Sequence, residues 1–157
     1  MAETFQAANA DFQREVEEIF NKAEFIRLLG IRLKDAGPGW CETTLTLEPK
    51  HLQQDGFAHA GLVATMAAHT SGAASGSLVA RHEMVLTVEY KINLLRPGVG
   101  ESLFCRADVL RAGKRIIVSE SSVYANTGPA RKLVAKGMFT LSVIPAVSGD
   151  AHAHAVR

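Results

Sequence analysis

Residues 51–61 read HLQQDGFAHAG and run directly into the segment LVATMAAHTSGAASGSL at 62–78. The first segment is polar and contains glycine, which is typical of a surface loop. The second segment is apolar or small on nearly every side, and a helix without a polar face is a buried helix. The stretch therefore predicts a loop that leads into the first turn of a central buried helix, around which the rest of the chain packs.

The junction between this loop and this helix is also a candidate site for chemistry. The first backbone N–H groups of a helix have no partner within it, and the aligned peptide dipoles attract negative charge there. A catalyst of acyl transfer needs such donors where a carbonyl oxygen becomes an oxyanion. We therefore expect a pocket beside the helix start, at His59-Ala60-Gly61.

Upstream of the loop, the pattern predicts one helix and one strand hairpin. Apolar residues recur at helical spacing over 11–29, with Asp11 as a candidate N-cap and Gly30 as the stop. Strands are expected at 31–34 and 40–48, and a glycine-rich turn joins them.

Downstream of the helix, four segments of alternating apolar and polar residues predict four strands, at 84–94, 103–109, 116–125 and 133–143. Consecutive strands with short turns are typical of an antiparallel meander. The first strand is expected to have a single apolar face, made by Met84, Leu86, Val88, Tyr90, Ile92 and Leu94. The predicted fold class is α+β, a long curved antiparallel sheet wrapped around the central helix. Its long edges favour pairing with a second copy.

Composition indicates one globular domain with 157 residues, of which 47% are hydrophobic and 21% charged. A net charge of +1 and few aromatic residues argue against nucleic-acid binding, and no apolar run has the length of a membrane span or a signal peptide. Cys41 and Cys105 are therefore expected to be buried thiols in a cytoplasmic protein. The expected divisions are an N-terminal helical segment at 1–30, the main domain at 31–145 and a disordered tail at 146–157.

Three segments carry a resemblance to a known family. They are GFAHAG at 56–61 with the helix that follows, TVEYKINLLRP at 87–97 and ADVLRAGK at 107–114. Together they resemble the hotdog-fold acyl-CoA thioesterases of the PaaI-like type, named for phenylacetic acid degradation. The resemblance covers residues 24–144. It implies acyl-CoA as substrate, no cofactor, and homodimers, often paired into homotetramers, with active sites at the subunit interface.

The resemblance also assigns roles to single residues. Gln53, six residues before the motif histidine, would contact the attacking water or the thioester. His59 would orient the loop and bond the thioester carbonyl. Ala60 would supply the backbone N–H that polarises this carbonyl, and Gly61 would allow close packing at the helix start.

One position departs from the family pattern. Nine residues after the motif histidine these enzymes carry Asp or Glu as nucleophile or general base, and this chain has Ala68. Three interpretations stay open: an active-site variant of an ordinary thioesterase, a replacement by another group with His69 the leading candidate, or binding of acyl-CoA without fast hydrolysis. One helical step turns a side chain by about 100°, so His69 is not expected to point where residue 68 points. A hotdog hydratase or dehydratase acting on enoyl thioesters is a further alternative, although its pairing of histidine and acid is not visible.

Two further groups of charged or ligand-forming residues have functional and structural interpretations. Arg111, Lys114 and Arg115 surround a tight turn, where they are solvated charges or a cradle for coenzyme A phosphates. His152 and His154 have metal-like spacing, but two ligands on a tail make a weak site, so no metal is expected.

Overall fold

The computed structural model describes residues 4–147, which form three α-helices, a 3-10 turn and a six-stranded sheet. The helices are α1 (Phe12–Lys22), α2 (Glu24–Leu29) and α3 (Ala60–Gly76), and the 3-10 turn covers Pro49–His51. The strands are β1 (Arg32–Gly37), β2 (Trp40–Thr46), β3 (Glu83–Leu94), β4 (Ser102–Ala112), β5 (Ile116–Thr127) and β6 (Ala130–Pro145). Within 4–147, no helix combines the length and the apolar character that a membrane crossing requires.

The central helix α3 is the buried helix that the sequence predicts, and it begins two residues earlier, at Ala60. Met66, Ala67, Ala73 and Ala74 of this helix are fully buried. The helix contacts five strands of the sheet, β2 to β6. A helix can touch that many strands only when the sheet curves around it, which agrees with the predicted α+β layout.

The N-terminal segment forms two helices where one continuous helix was predicted. The chain leaves helical geometry at Ala23, which has φ −82° and ψ 89°. Phe20 and Ile26 are both buried, yet six residues place them about 120° apart around a continuous helix. The break turns α2 so that Ile26 also reaches the core. The predicted ends hold, since Asp11 is the N-cap residue and Gly30 closes α2 in the left-handed conformation, φ 77°.

The predicted meander of four consecutive strands is wrong for β3. The strand order is β1-β2-β4-β5-β6-β3, so β4, β5 and β6 form a meander while β3 lies beyond β6 at the edge. The segment 95–101 makes the crossover, and it passes beneath the start of α3, where the Ala58 N–H donates to the Gly98 carbonyl at 2.9 Å. Sequence alternation identifies a strand but not its neighbour, which explains the error.

The single apolar face predicted for β3 is also wrong. The β3–β6 register shifts between Thr87 and Glu89, so Val88 is an extra residue. An inserted residue reverses the alternation beyond it. Tyr90 is opposite the buried Phe139, whereas Leu86 is opposite Ser142, and directly opposed residues share a face. The apolar residues before and after the bulge therefore lie on opposite faces.

Cys41 and Cys105 are free and buried, as predicted. The tail prediction at 146–157 lies outside the described residues except for Ala146 and Val147, and His152 and His154 lie outside them entirely. The division into segments 1–30 and 31–145 stays a prediction.

Candidate active site

The loop before α3 is held by a buried histidine that sequence reasoning missed. His51 is 2% exposed. Its Nδ1 accepts a hydrogen bond from the Glu48 N–H at 3.0 Å, so the neutral ring carries its proton on Nε2, which lies 2.8 Å from the Leu29 carbonyl oxygen. Its own carbonyl accepts from the His59 N–H at 2.9 Å. His51 thus ties the end of α2 and both ends of the loop together, a role that its position in a polar loop does not signal.

His59 is the N-cap residue of α3. Its backbone is extended, φ −62° and ψ 135°, and its Nδ1 accepts a hydrogen bond from the Gly61 N–H at 2.9 Å. Because Nδ1 is an acceptor, the neutral ring holds its proton on Nε2. The exposed ring therefore closes the first turn of α3 and still offers one N–H donor.

The backbone N–H of Ala60 is a free donor at the first position of α3. Within residues 4–147 it has no hydrogen-bond acceptor, and Ala60 is exposed. The neighbouring Gly61 N–H is occupied by His59. The helix dipole adds a positive partial charge at this point. The arrangement is able to bind an oxygen that carries or develops negative charge.

A cleft of about 310 Å³ lies beside this donor and brings Ala60 and Gln53 together. The Gln53 side-chain oxygen accepts from the Asp55 N–H, which leaves its NH₂ group available as a donor. Arg96 lies in the segment 87–97 that carries the resemblance, but sequence reasoning assigned it no role of its own. It is the charged residue among those that line this cleft. It is held there because its guanidinium donates to the Leu133 carbonyl at 3.0 Å.

Ala68 lies on a different surface of the protomer. It lines a groove of about 880 Å³ between the N-terminal helices, α3 and β3, which we call the α3 groove. Eight residues along a helix separate it from Ala60, a rise of about 12 Å. A side chain at position 68 therefore cannot reach a carbonyl held at the Ala60 N–H of the same protomer.

His69 also lines the α3 groove, but its ring is packed as a core residue. It meets the Phe20 ring edge-on, with 4.6 Å between centroids. Its Nε2 is buried and, within residues 4–147, has no hydrogen-bond partner. Burial lowers the pKa of His69 from 6.5 to about 4, because desolvation disfavours the charged form. A ring that stays neutral until pH 4 is a weak proton acceptor.

The basic turn lies at the far end of the sheet from Ala60. The Arg115 carbonyl accepts from the Val143 N–H at 2.8 Å, whereas the loop beneath α3 bonds to β6 at Val134 through the Leu95 N–H. Nine strand residues separate Val134 and Val143, a span of about 30 Å. Within one protomer, Arg111, Lys114 and Arg115 are remote from Gln53 and Ala60.

The sequence is similar to that of known proteins over most of its length. Residues 55–130 match the model of the thioesterase superfamily. An esterase-like protein from Haemophilus influenzae is 30% identical over 117 residues, which cover 74% of this chain and 82% of that protein.

Two solved structures extend the likeness to the whole fold. A thioesterase family protein from Silicibacter pomeroyi has a TM-score of 0.84 at 31% identity, covering 86% of this chain and 99% of that one. A conserved protein from Pseudomonas aeruginosa has a TM-score of 0.71 at 30% identity, covering 78% and 94% of the two chains. The fold is therefore the hotdog thioesterase fold, and the chain belongs to the thioesterase superfamily.

Proposed function

We propose that this protein is a PaaI-like acyl-CoA thioesterase whose hydrolysis is slow because Ala68 replaces the acid. The observation that carries the proposal is the backbone N–H of Ala60, an exposed residue at the first position of a long buried helix, which has no acceptor within residues 4–147. A thioester carbonyl placed there receives a hydrogen bond that strengthens as its oxygen becomes negative. Removing one such donor typically costs about 3–4 kcal/mol of transition-state stabilisation.

The chemistry assigned to this site is the attack of water on the thioester carbonyl carbon. The water oxygen forms the new C–O bond, the carbonyl electron pair moves to the oxygen at the Ala60 N–H, and the water gives up a proton to solvent because position 68 has no carboxylate to accept it. The tetrahedral intermediate then expels the thiolate as the C–S bond breaks, and the thiolate takes up a proton. The Gln53 NH₂ group, which lines the same cleft, would position the thioester or the water.

A second copy of the chain is part of the proposal. Because a rise of about 12 Å keeps Ala60 and Ala68 of one protomer from meeting at a single carbonyl, we propose that position 68 acts at a carbonyl held by another protomer. β3 offers the surface for this pairing, because it is an edge strand that exposes Leu86, Val88, Tyr90 and Leu94 by 50 to 62%. An unpaired edge of this kind is a template for another strand. We propose a homodimer through β3, which can pair further into a homotetramer.

The same pairing gives the basic turn a role. If two β3 strands run antiparallel, the start of one lies beside the end of the other. The turn at 112–115 of the second copy then approaches the end of the sheet where Ala60 lies. Arg111, Lys114 and Arg115 are exposed and would meet the phosphates of coenzyme A there, as fixed cations suit phosphate oxygens.

A binding protein without turnover is the second candidate, and Ala68 is the observation that favours it. General-base assistance to water is worth roughly 10²- to 10⁴-fold, and neither Ala68 nor the neutral His69 supplies it. Equilibrium binding of acyl-CoA with no release of free thiol would select this candidate.

Replacing Ala60 by proline tests the proposed role of its N–H. Proline lacks this group but is favoured at the first position of a helix. The extended backbone of His59 is the conformation that a residue before proline requires. We expect Ala60→Pro to fold normally and to hydrolyse acyl-CoA thioesters about 10²- to 10³-fold more slowly. Calorimetric binding of a thioether analogue of acyl-CoA to Ala60→Pro shows whether the variant still recognises the coenzyme.

The matched control is Ala60→Gly, which keeps the N–H and should retain the native rate. Free thiol from a panel of acyl-CoA thioesters is the readout. Equal rates for native protein and Ala60→Pro would show that the donor does not hold the carbonyl. A native protein that neither binds nor hydrolyses any acyl-CoA would exclude both candidate functions.

A further inference from the structure

Two buried serines of α3 and two of β5 have hydroxyl groups without a partner. Each of the four residues is at most 1% exposed. Within residues 4–147, none of their hydroxyl oxygens makes a hydrogen bond. We call this set the hydroxyl cluster, and its members are Ser71, Ser75, Ser119 and Ser121.

The other buried hydroxyls of the described chain are paired. Thr70 bonds the Met66 carbonyl at 2.6 Å and the Thr43 hydroxyl at 2.8 Å. The Ser77 hydroxyl donates to the Ala74 carbonyl at 2.6 Å. Because a buried hydroxyl without a partner costs free energy, the hydroxyl cluster indicates a partner that is not part of the chain itself.

The end of α3 lies over the early part of β5. The Gly39 N–H donates to the Ser77 hydroxyl at 2.8 Å, and the Gly39 carbonyl accepts from the Val109 N–H at 2.7 Å. Val109 is opposite Ser119 in the sheet. Ser119 therefore lies near the last turn of α3, which carries Ser75, and these two serines form one facing pair.

Ser71 and Ser121 form a second facing pair, one step away from the first. Four helix residues and two strand residues both advance by about 6–7 Å, so the two elements stay in step. Cys105 supports this placement. Burial raises the pKa of its thiol to about 12, and the neighbouring hydroxyls of Thr70 and Ser121 oppose this rise. Since Thr70 precedes Ser71 in α3, Ser121 faces this turn of the helix.

The sheet has small residues on both sides of Ser121. Its neighbours are Ala107 on β4 and Gly137 on β6. The Phe139 ring closes the β6 side, since a Cβ added at Gly137 would lie 2.8 Å from Phe139 Cε2. The groups that face this enclosed space are hydroxyls, which both donate and accept hydrogen bonds. A ligand that suits them is small, uncharged and able to do both.

We propose that the hydroxyl cluster is a binding site for ordered water, in which one molecule bridges Ser71 to Ser121 and a second bridges Ser75 to Ser119. A buried water requires roughly two to four polar partners, and each facing pair supplies two hydroxyls. None of the four serines lines the α3 groove. The water site is therefore separate from that groove and independent of the proposed function.

A crystal structure of the full chain tests the site directly. We expect a water molecule within hydrogen-bond distance of both hydroxyls in each pair. Serine hydroxyls that bond directly to each other or to backbone carbonyls, with no water between them, would overturn the proposal.

Urea unfolding tests the same site in solution through the sign of the effect. Ser121→Ala deprives a bridging water of one partner, so it should lower the unfolding midpoint by about 0.5 M. Ser71→Ala should cause a similar loss. If the hydroxyls had no partner, each change would remove a costly buried group and raise the midpoint, which would refute the proposal.

The double variant and one control complete the experiment. Ser71→Ala combined with Ser121→Ala should lose less than the two single losses together, because both hydroxyls bind the same water. Additive losses would contradict this bridge. Ser122→Ala is the matched control, since Ser122 follows Ser121 on the opposite face of β5 and is only partly buried. Its midpoint should equal that of the native protein.

Discussion

The Nδ1 atom of His59 accepts a hydrogen bond from the Gly61 N–H, two residues ahead, at 2.9 Å. One ring therefore closes the first turn of α3 and keeps its Nε2–H as an outward donor beside Ala60. Structural capping and substrate contact are often treated as alternatives for such a histidine, but the two nitrogens allow both at once.

Two substitutions at His59 separate these roles. Asparagine is a preferred N-cap residue and can accept from the same N–H, whereas alanine cannot. We expect His59→Asn to keep the native free energy of unfolding and His59→Ala to lose about 1 kcal/mol. Both variants lack the Nε2–H donor, so both should hydrolyse acyl-CoA about tenfold more slowly. Urea unfolding and thiol release measure the two effects, and a native rate in His59→Ala, which has no side-chain donor, would limit His59 to capping.

Installing an acid at position 68 should restore efficient hydrolysis. Ala68 lines the α3 groove, so Ala68→Asp places a carboxylate where, in the proposed dimer, a second protomer would present its carbonyl. We expect the rate of thiol release to rise by roughly 10²- to 10⁴-fold, the usual worth of general-base assistance. The rate should fall again below the pKa of the new carboxyl group.

The control for this gain is Ala64→Asp. Ala64 lines the same groove one turn earlier on α3, so its carboxylate has a similar environment but a different position. No gain is expected there. Equal gains at positions 64 and 68 would mean that added charge, not placement, accelerates the reaction, and no gain at 68 would show that this position has no role in the chemistry.

His69 makes stability depend on pH. Burial lowers the pKa of its folded-state ring from 6.5 to about 4, so between these values the unfolded chain binds a proton that the folded protein does not. Stability is therefore present above about pH 6.5 and is lost as pH falls toward 4. The loss amounts to at most about 3 kcal/mol. Urea unfolding at several pH values between 4 and 7 measures it.

His69→Phe should remove this contribution. The variant keeps an aromatic ring against Phe20 and eliminates the buried Nε2 that has no partner. Its stability at pH 7 should therefore be equal or higher. The matched control is the exposed His82, where His82→Gln should leave the pH dependence as in the native protein. An unchanged pH dependence in His69→Phe would contradict the assignment.

The elements of the fold follow from local sequence, and the errors arise where tertiary packing decides. The small and apolar residues at 62–78 predict a buried helix, and most of them lie in α3. The break at Ala23 and the bulge at Val88 depend on which neighbours must be covered, and no local spacing encodes that. The edge position of β3 depends on the crossover beneath α3 in the same way.

The candidate site follows a similar division. The motif was enough to predict the loop–helix junction, where Ala60 and Gln53 meet in one cleft. His51 and Arg96 were missed because each acts through a contact with a residue that is distant in sequence. His51 contacts the carbonyl at the end of α2, and Arg96 donates to a carbonyl of β6. The separation of Ala68 from that cleft was also missed, although eight residues along a predicted helix already imply a rise of about 12 Å between Ala60 and Ala68.

The proposed dimer depends on the edge of β3, and a single charge there should break it. Val88 is 62% exposed at the bulge and does not line the α3 groove. Lysine on an edge strand opposes strand pairing, so Val88→Lys should be a folded monomer in sedimentation experiments. Its thiol release should fall, because the proposed site takes groups from two protomers. Leu110→Lys is the matched control, since Leu110 is also an exposed apolar residue at a bulge, on the interior strand β4. A native protein that sediments as a monomer, or a Val88→Lys variant that stays dimeric, would refute pairing through β3.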